Sequence, residues 1–279
     1  MIEAVNLTKI YRGGLHALKS VSFSSRGKIN TIIGRNGAGK TTLTRILSTQ
    51  LMPSSGTATI NGFDILTETE KVRRSIVSIP QEASPLGILT ALEQVKLFLI
   101  ARGLSFMAAQ QEAVRALDLL GLREFKNATA DTLSGGMKRK IFVAMALGAN
   151  ADVVFLDEPT TGLDPISRIE VWSAVKEIHS EIFLTTHYME EAQQLSDYVF
   201  LVDSGTITDR GTVRELLDRF RGKVRVESTS ADLGGTRIGN LYIRYEEAEN
   251  AADLVKKGYT VKPITLDDIF LQRGVSLES

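Results

Sequence analysis

Short apolar stretches separated by polar breaks dominate the first eighty residues, and this pattern predicts mainly β structure. We expect strands at residues 4–7, 18–23, 29–33, 57–60 and 75–80. Most of these strands precede any sustained helical spacing. We therefore predict an N-terminal antiparallel β part.

Between residues 89 and 122 the apolar spacing changes to that of helices. Leu92, Val95 and Leu99 repeat at helical intervals, and Gly121 suits the position just after the end of a second helix. Because an apolar strand follows at residue 153, we predict a helical subdomain at about residues 86–150, inserted between strands of the core.

Strands and helices then alternate along the chain. We expect strands at 153–156, 182–185 and 198–202, and helices at 166–179 and 189–195. The strands are apolar without alternation, which is typical of a parallel sheet covered on both faces. The fold class predicted is α/β.

Beyond residue 220 the elements become shorter and more charged, so we predict a domain boundary near Gly222 and a small α+β accessory domain at 222–279. The accessory elements predicted are strands at 224–227, 241–245 and 259–262 and helices at 248–257 and 267–273.

Composition narrows the possible functions. The 279 residues are 43% hydrophobic, enough to bury a substantial core, and the 33 Lys and Arg balance the 33 Asp and Glu. Such a neutral balance gives no reason to expect nucleic acid as a partner. Cysteine is absent, which excludes disulfides and thiolate metal sites. There is neither a charged-then-apolar leader nor an apolar run near the roughly 18 residues of a membrane span, so we expect a soluble chain.

Residues 34–41 fit the phosphate-binding pattern G-x-x-x-x-G-K-[ST], between a strand and a helix. Glycines leave backbone N–H groups free to face phosphate oxygens, and the start of a helix favours anions. Lys40 is predicted to reach the β- and γ-phosphates and the Thr41 hydroxyl to ligate Mg²⁺. We therefore predict a P-loop NTPase core; the alternative is a glycine-rich turn.

Asp157 and Glu158 follow an apolar strand. The carboxyl end of a parallel strand faces the ligand edge of the sheet, so Asp157 is expected to hold Mg²⁺. Glu158 is expected to polarise water for attack on the γ-phosphate. Without residues 34–41, two solvated carboxylates would be the better interpretation.

Leu133-Ser134-Gly135-Gly136 precedes a helical stretch and offers a hydroxyl and bare N–H groups to an anion. Alone it would be an ordinary helix N-cap. P-loop enzymes commonly need an extra group supplied in trans. We therefore predict that two copies of the chain dimerise, each offering its Ser134 turn to the other's phosphate.

These motifs, in this order, resemble the nucleotide-binding subunit of an ATP-binding-cassette (ABC) transporter over roughly residues 2–221. Residues 133–136 match the family signature, and residues 156–165 match the second nucleotide motif and the D-loop. The resemblance implies that domain 1–221 binds ATP and Mg²⁺.

The resemblance also assigns individual roles. Tyr11 is expected to stack on adenine, Gln81 to contact Mg²⁺ or water and to report nucleotide state, and His187 to hydrogen-bond the γ-phosphate. Asp164 is expected to act across the dimer interface. The remaining residues expected to bind nucleotide are Asn36, Gly37, Ala38, Gly39, Thr42, Gly135 and Gly136.

Met137, the stretch 186–195 and the stretch 264–271 are similar to the daunorubicin-resistance type of exporter ATPase. This similarity implies export of a drug, lipid or glycoconjugate, less often a polypeptide, through a separate membrane permease, with the chain held at the cytoplasmic face of the membrane. The alternatives are an importer ATPase, a soluble ABC ATPase acting on nucleic acid or ribosomes, and a regulatory module that binds nucleotide without turnover.

Overall fold

The computed structural model describes residues 1–272 and divides the chain into two compact units, Met1–Arg210 and a second unit that starts at Gly211. The division lies earlier than the boundary predicted near Gly222. The ring of Phe220 packs against Tyr245 at 5.1 Å between centroids, which groups residues just before Gly222 with the second unit.

The elements of the first unit largely follow the predicted order. Its strands are β1 (Ile2–Ile10), β2 (His16–Ser24), β3 (Ile29–Ile33), β4 (Ser55–Ile60), β5 (Phe63–Asp64), β6 (Ile76–Ile79), β7 (Val153–Asp157), β8 (Glu181–Thr186), β9 (Tyr198–Asp203) and β10 (Thr206–Gly211). Its helices are α1 (Lys40–Leu47), α2 (Thr69–Ser75), α3 (Ala91–Ala101), α4 (Phe106–Leu119), α5 (Gly135–Gly148), α6 (Pro165–Glu177) and α7 (Met189–Leu195).

The antiparallel β part forms a four-stranded sheet in the order β2-β1-β4-β5. Its apolar residues share one core with those of the central sheet. Within that core Phe23 stacks on Phe183, with centroids 5.6 Å apart, and also contacts Phe200. The predicted N-terminal antiparallel part is thus present.

The central sheet has six strands in the order β10-β9-β3-β8-β7-β6, and β3, β6, β7, β8 and β9 pair in parallel. Strands β3 and β7 are buried at every position, as expected for a sheet covered on both faces. Because their directions agree, the carboxyl ends of these strands meet at one edge, and the loops that follow them lie close together.

Helices α3, α4 and α5 lie between β6 and β7 in sequence, where the helical subdomain was predicted. Thr90 and Glu93 form a capping box at the start of α3, and the Ser105 hydroxyl caps α4. After α4 the chain passes through Gly121 at φ +67°, a left-handed conformation that favours glycine. The predicted helix end at this glycine is confirmed.

The second unit contains α8 (Val213–Leu217), β11 (Lys223–Ser228), β12 (Thr236–Ile238), β13 (Leu241–Glu247), α9 (Ala251–Lys256), β14 (Thr260–Lys262) and α10 (Asp267–Gln272). Its sheet has the order β12-β13-β11-β14, and Val226, Leu233 and Leu254 form its small core. The last residue of the predicted helix 267–273, Arg273, lies outside the described residues.

The buried carboxylate of Asp268 ties α10 to this sheet. It accepts hydrogen bonds from Arg225 Nη1 at 3.1 Å, the Tyr245 hydroxyl at 2.9 Å and the Thr265 amide at 2.7 Å. Desolvation and the nearby Asp268 carboxylate raise the pKa of Tyr245, so its hydroxyl remains a donor. Asp268 lies in the stretch 264–271, which resembles the daunorubicin-resistance type, and its hydrogen bonds give that stretch a structural role.

Elements α2, β5, β10 and β12 were not predicted, because they are short or polar and carry little apolar periodicity. Within residues 1–272, no helix combines the length and apolar composition that a bilayer crossing requires.

Candidate functional site

The loop between β3 and α1 is shaped for a bound anion. Gly37 and Gly39 adopt φ +80° and +107°, and a Cβ on Gly39 would lie 2.5 Å from the carbonyl oxygen of Ala17. Gly39 is the N-cap of α1, and no side chain caps this end. The first N–H groups of α1 therefore remain available to phosphate oxygens.

Lys40 begins α1 and is almost fully buried, with 5% of its surface exposed. Its ammonium group donates to the carbonyl oxygens of Gly34 at 2.9 Å and Arg35 at 3.2 Å. It also lies 3.3 Å from Glu158 Oε1, which is buried to the same degree. The lysine predicted to grip phosphate is thus paired with the carboxylate predicted to activate water.

Glu158 occupies a strained turn immediately after β7. Its φ of +48° is uncommon for a residue with a side chain, and its amide donates to the backbone oxygen and the hydroxyl of Thr185, both at 3.1 Å. Glu158 Oε2 accepts from Gln81 Nε2 at 3.3 Å and Thr161 Oγ1 at 3.0 Å, and lies 3.0 Å from His187 Nδ1. The structure therefore brings the four predicted catalytic residues together around one carboxylate.

Each of these side chains comes from the carboxyl end of a parallel strand. Gln81 follows β6, Glu158 follows β7, and His187 follows β8, while Lys40 lies beyond the loop after β3. The imidazole of His187 also packs against the ring of Tyr188, with centroids 4.1 Å apart. Sheet topology alone accounts for the assembly of residues that are distant in sequence.

Thr41 and Asp157 provide oxygen ligands suited to Mg²⁺. Thr41 Oγ1 lies 3.4 Å from Asp157 Oδ1, and the same carboxylate oxygen accepts a hydrogen bond from the Thr185 hydroxyl. Residues 1–272 contain no cluster of three or more His, Cys, Asp or Glu side chains able to hold a metal. A hydroxyl and one carboxylate nevertheless fit Mg²⁺, which takes its other ligands from water and substrate phosphates.

Tyr11 lies at the side of the same cleft, where its hydroxyl is 3.2 Å from Thr42 Oγ1. The cleft measures about 590 Å³, in the range of small-molecule sites. It is lined by Tyr11, Leu15, Ala17, Asn36, Gly37, Gly39, Lys40, Thr41, Thr42, Gln81, Glu158, Thr161 and His187. Ala38 is buried in the loop and does not line the cleft.

The remaining predicted nucleotide contacts, Ser134, Gly135, Gly136 and Asp164, do not line this cleft. Ser134 is exposed and caps α5 by accepting from the Met137 amide at 3.2 Å. Asp164 is exposed and caps α6, and hydrogen bonds led by that from Ser167 lower its pKa. Within one chain, these residues are separate from the phosphate loop.

Sequence reasoning missed three residues beside the site. Thr161 and Thr185 contact Glu158. Thr161 lies in the matched stretch 156–165 but was given no role, and Thr185 belongs to an apolar strand in which a threonine carries no sequence signal of its own. Glu191 is fully buried and accepts from Thr160 Oγ1 at 2.8 Å and Trp172 Nε1 at 3.0 Å. Burial raises the pKa of Glu191.

Trp172 is a core residue of α6 rather than part of the cleft. It packs partly buried against the helical core, and its indole donates to Glu191 rather than entering the cleft.

Comparison with known proteins agrees with this geometry. Residues 18–161 match the family model described as ABC transporter. The chain is 42% identical over 212 residues to the doxorubicin resistance ATP-binding protein DrrA of Mycobacterium tuberculosis, covering 75% of this chain and 64% of the relative. It is 38% identical to the daunorubicin/doxorubicin resistance ATP-binding protein DrrA of Streptomyces peucetius, covering 77% and 66%. The chain thus spans less than two thirds of the length of either relative.

A solved structure described as a dimeric post-hydrolysis state of the ATP-binding cassette MJ0796, bound to ADP and Pi, superposes with a TM-score of 0.69. Its sequence is 27% identical, and the match covers 77% of this chain and 99% of that one. The predicted fold class and the similarity to the daunorubicin-resistance type are both confirmed.

Proposed function

Because the chain belongs to the ABC transporter family, we propose that it binds and hydrolyses ATP as the nucleotide-binding subunit of an exporter. One observation carries this proposal. Lys40, Gln81 and His187 converge on Glu158 at the edge of the central sheet, beside a loop whose backbone N–H groups are available to phosphate. A module that only bound nucleotide would not need this arrangement around a buried carboxylate.

ATP binding begins with an exchange of partners at Lys40. The phosphates bind at the N-terminus of α1, where the N–H groups of the loop face them. The ammonium group of Lys40 then leaves Glu158 Oε1 and pairs with the γ-phosphate. Mg²⁺, held by Thr41 and Asp157 with help from Gln81, would neutralise phosphate charge during phosphoryl transfer.

Release of Lys40 leaves the Glu158 carboxylate available to water. Glu158 orients the water and takes its proton as the water oxygen attacks the γ-phosphorus and the bond to the bridging oxygen breaks. His187 donates a hydrogen bond to the γ-phosphate in this proposal, which is supported by the 3.0 Å between its Nδ1 and Glu158 Oε2. Gln81, 3.3 Å from the same oxygen, helps to position the water.

Ser134 is exposed, lies outside the cleft and caps a helix whose first N–H groups can receive an anion. We therefore propose a head-to-tail homodimer in which each Ser134 turn completes the other chain's nucleotide site. The dimeric structure of the MJ0796 cassette supports this assembly. Because ATP would contact both chains only in the closed dimer, its binding energy favours closure.

The names of the relatives support drug export as the transport function. We propose that the chain acts at the cytoplasmic face of the membrane through a separate permease subunit, on a drug, lipid or glycoconjugate. An importer ATPase would share the catalytic residues, so the direction rests on the similarity to resistance proteins. Identification of the membrane protein that co-purifies with the chain tests the permease and the direction together.

The dimer is tested by sedimentation of the Glu158→Gln protein, in which hydrolysis is blocked. With ATP and Mg²⁺ it should sediment as a dimer, and without nucleotide as a monomer. Combining Glu158→Gln with Ser134→Arg should abolish the dimer while leaving ATP binding intact, because Ser134 does not line the cleft. A monomer at saturating ATP would contradict the dimer, and a wild-type chain without ATPase activity would favour the regulatory alternative.

A further inference from the structure

The guanidinium of Arg139, one turn into α5, donates to backbone segments of the catalytic edge, by which we mean the edge of the central sheet that carries Gln81 and Glu158. It donates five hydrogen bonds, all to main-chain carbonyl oxygens. The acceptors are Pro80 at 3.2 Å, Gln81 at 2.8 Å, Asp157 at 2.7 Å, Glu158 at 2.9 Å and Pro159 at 3.3 Å.

These acceptors belong to two segments, the loop after β6 and the last residue of β7 with the turn that follows it. Both segments present side chains to the nucleotide cleft, namely Gln81 and Glu158, whereas Arg139 does not line it. Arg139 itself belongs to the helix that Ser134 caps. One side chain therefore links the helix start proposed to meet a partner's nucleotide with the backbone of two residues proposed to act in hydrolysis.

The side-chain chemistry suits arginine at this position. A guanidinium has five N–H donors in a rigid plane and remains charged in proteins, whereas lysine has three donors and a compact charge. Burial lowers the pKa of Arg139 from its ordinary value. Removing the side chain would leave five carbonyl oxygens without these charge-assisted hydrogen bonds.

We propose that Arg139 is a positioning residue for ATP hydrolysis, which fixes the backbone of Gln81 and Glu158 relative to α5. The proposal rests on the function proposed above, since it concerns the same reaction. A shift of α5 would be transmitted through Arg139 to the catalytic carboxylate. Arg139 thus makes the rate of hydrolysis depend on the position of the Ser134 turn, without contact between its side chain and the nucleotide.

Arg102 supplies a matched control in the same unit. Its guanidinium also donates to main-chain carbonyl oxygens, those of Arg73 at 3.4 Å, Arg74 at 3.0 Å and Asn150 at 3.5 Å. Burial lowers its pKa as well. Arg102 does not line the nucleotide cleft, so Arg102→Met removes three longer bonds of the same kind, away from the backbone of Gln81 and Glu158.

The experiment compares Arg139→Met, Arg139→Lys and Arg102→Met with the wild-type full-length chain. Arg139→Met should lower kcat by at least about tenfold, because small displacements of catalytic groups are costly, while KM for ATP stays within about twofold. Arg139→Lys should recover part of the loss. Arg102→Met, measured per folded molecule, should keep the wild-type kcat.

Hydrogen exchange without nucleotide gives a readout that does not need ATPase activity. Arg139→Met should speed amide exchange in peptides covering residues 80–84 and 157–162, and Arg102→Met should do so only around residues 73–75 and 150. Unchanged exchange at 80–84 and 157–162, an unchanged kcat, or an equal loss of kcat in Arg102→Met would each overturn the proposal. An inactive wild type would instead reject the proposed function, and the exchange result would still decide whether Arg139 holds these segments.

Discussion

The ion pair between Lys40 and Glu158 leads to a prediction in which two measurable effects have opposite signs. Glu158→Gln removes the negative charge and keeps the shape of the side chain. In the variant, Lys40 stays buried with neutral acceptors in place of a carboxylate, namely the glutamine oxygen and the carbonyl oxygens of Gly34 and Arg35. The variant should therefore be less stable than wild type without nucleotide but gain more stability from ATP.

The size of the effect follows from the geometry. At 3.3 Å and an effective dielectric constant of about 20, the gross Coulomb attraction is about 5 kcal/mol. The net loss is smaller because Lys40 keeps two acceptors and the glutamine oxygen can still accept, so we expect about 2 kcal/mol. In a unit of this size, that corresponds to a fall in Tm of about 4–8 °C.

ATP should offset most of this difference in stability. In wild type Lys40 must leave Glu158 before it can reach the γ-phosphate, and the variant does not have this competition. We expect the variant to bind ATP about tenfold more tightly, equivalent to about 1.4 kcal/mol. Thermal melting with and without ATP and Mg²⁺, together with calorimetric titration of nucleotide, measures both effects.

Glu170→Gln is the control for the loss of an ion pair. Glu170 pairs with the buried Lys140, and neither residue lines the nucleotide cleft. This variant should lose stability but show the wild-type shift with ATP. Equal melting of Glu158→Gln and wild type without nucleotide, or a smaller ATP shift in Glu158→Gln, would refute the exchange of partners at Lys40.

Three further predictions concern other parts of the chain. Burial raises the pKa of Glu191, so the folded state binds more protons than the unfolded state, and wild-type stability should fall as pH rises above the ordinary glutamate pKa. Glu191→Gln should flatten this dependence in thermal melts from pH 4.5 to 8, whereas parallel curves of Tm against pH for the variant and wild type would exclude a contribution from Glu191. Asp268→Ala removes a fully buried carboxylate that pairs with Arg225 and accepts from Tyr245 and Thr265, whereas Arg225 stays paired with Glu227. It should cost the second unit about 3 kcal/mol, seen as faster proteolysis beyond residue 211 with unchanged ATP binding; wild-type proteolysis rates would contradict this role. Thr41→Val removes the hydroxyl beside Asp157 and should weaken the Mg²⁺-dependent part of ATP binding by at least about tenfold, whereas ATP binding measured in EDTA should not change. Equal losses of affinity in both conditions would show that the hydroxyl does not ligate the metal.

The sequence by itself determined the local elements and the chemistry of the site. The spacing of glycines and of Lys40 in residues 34–41 is sufficient to predict a phosphate loop, because backbone conformation and helix ends set that geometry locally. Continuous apolar runs such as 153–156 predicted the buried parallel strands for the same kind of local reason. Weakly periodic segments such as α2 and β12 carried too little signal.

Only the tertiary structure decided which groups meet. The order β9-β3-β8-β7-β6 places the ends of four strands together, and this order cannot be read from any one segment. The pairing of Lys40 with Glu158 and the five carbonyl bonds of Arg139 are long-range contacts between separate elements. Such contacts depend on how strands are ordered and packed, so a linear motif names the residues but leaves their partners undetermined.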